Sequence, residues 1–166
     1  MNNVGPYSIS RVFDAPRELV FKVSSVPEHM AKWLAGPGFK TSVVKGEVKV
    51  GSTYHYMQEG PDGMKMWGRQ VYQEIIPNEK IVSISSFSDE KGGIGAHPMS
   101  PTWPKEMLST TTFEDAGPGK TKLTITWAPY NSDEAGNSTF DAARAGMDQG
   151  FGASFANLEA YLKTLV

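Results

Sequence analysis

The chain has 166 residues, 39% of them apolar and 20% charged, with 16 Lys and Arg against 18 Asp and Glu. This is an ordinary globular composition, long enough for a real core, and a net charge of -2 argues against a partner bound through phosphates, such as nucleic acid. The lack of cysteine removes disulfides, thiolate nucleophiles and cysteine metal sites together.

The densest basic spot, Lys120 and Lys122, flanks a turn and reads as a solvated strand end. The opening "MNNVGPYSIS" has no basic segment followed by an apolar run, so it does not read as a signal peptide. No stretch approaches the ~18 apolar residues of a membrane span. A cytoplasmic location without membrane insertion is expected, and the sequon Asn137-Ser138-Thr139 reads as a helix cap.

The first strand is "YSISRVF", 7–13, in which Tyr7, Ile9, Arg11 and Phe13 share a face that Arg11 alone makes polar. Two short helices follow. Pro16 stands at the first helical position of one, and Pro27 opens the other, "VPEHMAKWL". Met30, Trp33 and Leu34 fall on one face of the second, and "AGPG" stops it. The period then changes. "FKTSVVKGEV", "STYHYMQ", "MWGRQVYQEII", "KIVSISSFS", "EMLSTTTFE" and "TKLTITWA" read as six more strands, rich in β-branched and aromatic residues. All but one of their links are hairpin-length, which implies antiparallel neighbours. The final segment reads as one helix, capped by Asn137 or Ser138. Its apolar stripe is Phe140, Ala143, Met147, Phe151, Phe155, Leu158, Leu162 and Leu165. Gly146, Gly150 and Gly152 interrupt it: they mark a bend, admit a close approach, or are tolerated because packing overrides propensity. The sheet is the one large partner for that stripe. The expected architecture is therefore α+β: a curved seven-stranded antiparallel sheet with two short helices after strand 1 and a long C-terminal helix gripped against it. No repeat or linker divides 1–166, so one domain is expected.

That order and several stretches carry a resemblance. They are "RVFDAPRELVFKV" with "PEHMAKWLAGPG", "VKVGSTYHYMQEGPDG", "WGRQVYQEIIPNEKIVSISSFSDEKG", "TTTFEDAGPGKTKLTITW" and "MDQGFGASFANLEAYL". Together they resemble the START-like helix-grip fold of the birch-pollen-allergen type. More narrowly, the chain resembles the family of homologues of the activator of the heat-shock-protein-ninety ATPase, within the SRPBCC superfamily. Gly51-Ser52 stands where that family often has a glycine pair. The resemblance implies a helix-grip domain enclosing a cavity. It does not settle function, since such folds host ligand carriers, cyclases, hydrolases and chaperone regulators. The co-chaperone role belongs to larger proteins with an additional N-terminal domain and is not expected here.

Motifs with a chemistry of their own are few. "GPGKT" lacks the first glycine of a phosphate loop and precedes a strand, so it is a hairpin turn. "GGIGAHP" is no dinucleotide fingerprint. His29, His55 and His97 lie at no metal-ligand spacing, and no Gly-x-Ser-x-Gly elbow exists. No metal and no cofactor are expected, and no catalytic residue is singled out.

The aromatic set remains. Tyr54 and Tyr56 share one face of their strand; Leu123, Ile125 and Trp127 share the face expected to be inner. Trp33, Trp67 and Trp103 stand at an element end, at a strand start and in a long loop. Any one of these reads as core, but together the tyrosines suggest a pocket whose polar tips need partners. Arg11, and on strand 66–76 either Arg69 with Gln73 or Tyr72 with Glu74, are the polar residues able to face inward; the alternation leaves the choice open. The loop "AHPMSPTWPKEM", stiffened by three prolines, is either a rim or lid that sets His97 and Trp103 on a ligand, or a connector whose Trp103 completes the core. The expected function is binding of a small hydrophobic or amphipathic molecule in an internal cavity, by a monomer or homodimer. The expected contacts are Trp33, Tyr54, Tyr56, Arg69, His97, Trp103, Trp127, Met147 and Phe151. A cofactor-free cyclase, dehydratase or hydrolase using an inward His, Glu or Arg is the second reading, and a chaperone-regulating interaction module the third.

Overall fold

The computed structural model describes residues 5–98 and 100–166. Residues 1–4, part of the stretch read above for a signal peptide, and Met99 in the proline-rich loop lie outside the described residues. The elements are β1 (Tyr7–Phe13), α1 (Arg17–Ser25), α2 (Pro27–Met30), β2 (Lys40–Lys45), β3 (Thr53–Glu59), β4 (Lys65–Ile76), β5 (Lys80–Ser88), β6 (Glu106–Asp115), β7 (Thr121–Tyr130), α3 (Glu134–Ala142) and α4 (Arg144–Lys163). The seven strands form one sheet in the order β1-β7-β6-β5-β4-β3-β2, antiparallel at every step. Two backbone positions fix the tight links. Asn78 takes φ 63° in the β4–β5 turn. Gly46, at φ 104° after β2, lies so close to Thr53 that a Cβ there would collide with its carbonyl.

Three helical expectations need correction. Pro16 is not the first helical residue: with φ -68° and ψ 153° it is the extended residue before α1. The second short helix ends at Met30 instead of running to Leu34, although Met30 and Trp33 are both buried as expected. The closing segment is two helices, because the backbone leaves helical geometry at Ala143 (φ -93°, ψ 3°). Its cap is Asp133, which accepts a hydrogen bond from the Gly136 amide at 2.7 Å, so neither Asn137 nor Ser138 is the cap. The bend lets α3 turn Phe140 into a small cluster with Tyr7, Met107 and Met147, while α4 lies along the main core. The apolar spacing runs unbroken across Ala143, so periodicity alone carries no mark of the bend. Leu165 lies beyond α4 and is exposed, so the buried stripe ends at Leu162.

The main core occupies one end of the sheet, where β1 and β6 finish and β7 begins. Phe13, Val20, Val23, Phe113, Leu123, Phe155, Leu158 and Leu162 meet there. Each such fully buried side chain is worth about 1.5–3 kcal/mol. At the other end, the first half of α4 presents Gly146, Met147, Gly150, Phe151 and Ser154 to the sheet and leaves a space between them.

Removal of the observed cap, Asp133→Ala, is expected to lower stability by about 1 kcal/mol, whereas Ser138→Ala should stay within about 0.5 kcal/mol of the parent. Urea unfolding of the two variants decides between the caps; equal losses would return the cap to Ser138.

Candidate functional site

The space between sheet and α4 is a cavity of about 440 Å³, within the ~300–1,000 Å³ usual for small-molecule pockets. It opens at the end of the sheet that carries the β3–β4 hairpin, the end of β5 and the start of β6. Trp33, Leu34 and Ala35 form one wall, the sheet forms the floor, α4 the roof, and His97 and Trp103 stand at the rim.

The wall is held by hydrogen bonds from three directions. Ser154 on α4 donates to the Ala35 carbonyl at 3.0 Å, and Thr41 and Gln58 donate to the Leu34 carbonyl at 2.6 and 3.2 Å. Trp33 is pinned by its indole N–H, which donates to the Val23 carbonyl at 2.9 Å. The roof is glycine-bearing for a visible reason. A Cβ added at Gly146 or Gly150 would meet no atom within 4 Å; Gly150 is half-buried in the cavity lining, while Gly146 is exposed at its edge. Of the two structural roles the sequence offered for the glycines, bend and close approach, neither applies to these two.

The floor is unusual in polarity. On β5, Ser83 and Ser85 point inward and are buried, while Val82 and Ile84 on the opposite face are only half-buried. On β4, Gly68, Gln70 and Tyr72 line the cavity. This settles the orientation left open by the sequence. Arg69 faces the other side, where its guanidinium donates to the Gly92 carbonyl at 3.0 Å beside His55, which bonds the Asp89 carbonyl at 2.9 Å. Arg69 therefore does not reach the cavity, a correction imposed by the two-residue period of the strand. Glu74 does not face inward with Tyr72 either. A bulge between Tyr72 and Glu74 reverses the alternation, so Ile75 packs on the core and Glu74 pairs with Lys80 outside at 3.4 Å. Arg11 lies over the ring of Phe155 at 5.5 Å and lines no part of the cavity.

The other expected contacts do converge. Tyr54 and Tyr56 stack with ring centroids 5.3 Å apart. Trp127 meets Phe151 edge-on at 4.8 Å and donates its indole N–H to Ser109 at 3.1 Å. Phe87, His97, Trp103 and Phe140 form a chain of rings at 4.5, 5.9 and 6.1 Å. Trp33, Tyr54, Tyr56, His97, Trp103, Trp127, Met147 and Phe151 all line the cavity, and Trp67 makes all four tryptophans lining residues. Trp103 is half-buried, packs on the Phe140 cluster and lines the cavity.

Burial sets the chemistry of the titratable rings. It pushes the Tyr56 hydroxyl up to about 12. Burial likewise raises Tyr54 and Tyr72 well above the ordinary phenol value, with their neighbouring tyrosines adding to it. It lowers His97 below the ordinary imidazole value, so the rim ring is neutral at neutral pH. All these groups are uncharged donors and acceptors. Tyr72 donates to Gln70 at 3.1 Å, and the buried Tyr54 hydroxyl has no partner among the described residues.

The sequence reading missed Gln70, Ser83, Ser85, Ser109 and Thr111, all of which line the floor. For the serines and Thr111 the signal lay in "SISS" and "STTT", runs of hydroxyl residues in strands that otherwise read as core. Among the described residues no group of three or more His, Asp or Glu is placed to hold a metal, and no helix is long and apolar enough to cross a membrane.

A curved antiparallel sheet closed by a long helix over such a cavity defines a helix-grip fold. The model of the family described as Activator of Hsp90 ATPase homolog 1-like protein matches residues 14–163, and the chain belongs to that family. Its fold is shared with a protein from Mycobacterium smegmatis (TM-score 0.76, 21% identity, 98% of this chain and 94% of that one). It is shared as well with a protein from Arthrobacter aurescens (TM-score 0.79, 24% identity, 97% and 87%). A third is an AHSA1 protein from Silicibacter pomeroyi (TM-score 0.73, 13% identity, 98% and 100%). No curated protein matches the chain.

The Tyr56 ring lies across Gly68, its cross-strand partner, so closely that a Cβ at Gly68 would collide with it. Gly68→Ala is expected to cost about 1–3 kcal/mol by overpacking. The same substitution made in a Tyr56→Ala background should cost less than half as much. A double-mutant cycle by urea unfolding measures the coupling, and additive effects would refute the contact.

Proposed function

We propose that the protein binds a small hydrophobic or amphipathic molecule in the cavity between the sheet and α4. One observation carries this reading: a 440 Å³ space walled by four tryptophans and three tyrosines, whose roof is left empty by glycine instead of filled by a side chain. A helix interior loses about 1 kcal/mol at each glycine relative to alanine, and a core of this size gains from being filled. A cavity kept open at that cost suits an occupant. Apolar burial supplies the affinity, and the polar atoms of the floor orient the ligand. Of the inward His, Glu or Arg that an enzyme reading needs, His97 is the one lining the cavity, so the geometry favours binding over catalysis.

The test uses a neutral fluorescent probe, N-phenyl-1-naphthylamine, with its emission and energy transfer from the lining tryptophans as readouts. The parent protein is expected to bind it saturably at micromolar concentration. Gly150→Leu, which places a side chain in the roof space, is expected to abolish binding while keeping or raising the melting temperature, since leucine is the better helix former by ~0.8 kcal/mol. Undiminished binding in a folded Gly150→Leu variant would place the probe elsewhere and remove the proposal.

A further inference from the structure

Among the described residues, 32 line the cavity and none is Asp, Glu, Lys or Arg. The polar atoms that do line it divide into two groups. Those of the walls and roof are spent within the protein: Ser24, Thr41, Gln58 and Ser154 each donate to a backbone carbonyl. Those of the floor are spent only in part: Tyr72 donates to Gln70, and Ser109 accepts from Trp127. The hydroxyls of Tyr56, Ser83, Ser85 and Thr111 and the Gln70 amide nitrogen make no hydrogen bond to another described group, and neither does the buried Tyr54 hydroxyl. By register Gln70 stands between Tyr54 and Ser85, and Tyr72 stands opposite Ser83, so Gln70, Ser83 and Ser85 form one polar patch across β4 and β5.

Hydroxyls and amides that face a cavity without protein partners are satisfied there by water or by a ligand. A patch of hydroxyls and one amide, all neutral, satisfies an uncharged oxygen well, because it can donate to a carbonyl and accept from a hydroxyl. It stabilises an anion poorly, because no cation lies within the lining and the low-dielectric rings around it add to the desolvation cost.

We infer that the cavity is selective for electrically neutral ligands bearing a hydroxyl or carbonyl group on an apolar body, with that group seated on the Gln70–Ser83–Ser85 patch, and that it rejects carboxylates and phosphates of the same size. This deepens the binding reading above and rests on it. The neutral head enters first and meets the floor of β4 and β5, and the apolar body lies between Trp127, Phe151 and the rim.

The experiment displaces N-phenyl-1-naphthylamine at pH 8 with three compounds that share one body: 4-phenylphenol, biphenyl and biphenyl-4-carboxylate. 4-Phenylphenol is expected to compete best, biphenyl several-fold less well for want of the hydrogen bond, and the carboxylate at least a hundredfold less well. In a Ser83→Ala/Ser85→Ala variant the advantage of 4-phenylphenol over biphenyl should vanish while biphenyl itself competes as before. A carboxylate that competes within tenfold of the phenol overturns the inference, as does a phenol advantage that survives the double substitution. If the probe itself does not bind the parent protein, the cavity-binding reading fails first, and the two failures are thereby distinct.

Discussion

Along α4, Phe155, Leu158 and Leu162 are buried against the sheet and α1, while Gly146 and Gly150, nearer the start of the same helix, contribute no side chain to the space beneath them. One helix thus closes one end of the sheet and stands off the other. The packed half fixes the helix on the sheet by apolar burial. The glycine half, held at a distance by Met147 and Phe151, converts the same docking into an enclosed volume. The bend at Ala143 belongs to this arrangement, because it lets Phe140 of α3 pack on Trp103 of the proline-rich loop while α4 stays on its core.

The floor of the cavity follows from that separation. Where a sheet face meets a packed helix it must be apolar, as Leu123 and Phe113 are. Where it meets a cavity it need not be, and Ser83, Ser85, Gln70 and Thr111 occupy inward positions. β5 is inverted relative to the usual pattern, with Val82 and Ile84 outward and serines inward. The charged residues that the same strands carry were placed outside by the period of the strand and by one bulge. Arg69 then anchors the 89–93 turn with His55, and Glu74 pairs with Lys80. The cavity is left neutral, and its chemistry is that of hydrogen bonds on an apolar surface.

The proline-rich loop shows how rigidity serves a rim. Trp103 lies between a buried proline, Pro104, and the Phe140 cluster, and its ring continues through His97 to Phe87 at the end of β5. The row of rings joins the loop to both the sheet and α3, so the rim is built from the same contacts that stabilise the second cluster. Core and site are not separable at this residue.

The sequence by itself determined the seven strands with their antiparallel pairing and the family resemblance, and eight of the nine residues it singled out line the cavity. These are local or collective signals: two-residue alternation, hairpin-length links, prolines at helix starts, and aromatic residues that have few other places to go. It did not determine the face of β4, because Arg69 and Tyr72 are each compatible with an inward strand and only the sheet's position under α4 chooses between them. Nor did it determine the inward serines of β5, since burying a hydroxyl is unfavourable against side chains and acceptable against a cavity. The cap at Asp133 and the bend at Ala143 were decided by where Phe140 packs. Tertiary structure decides these points because each depends on whether the space opposite a residue is filled, and that is a property of two elements at once.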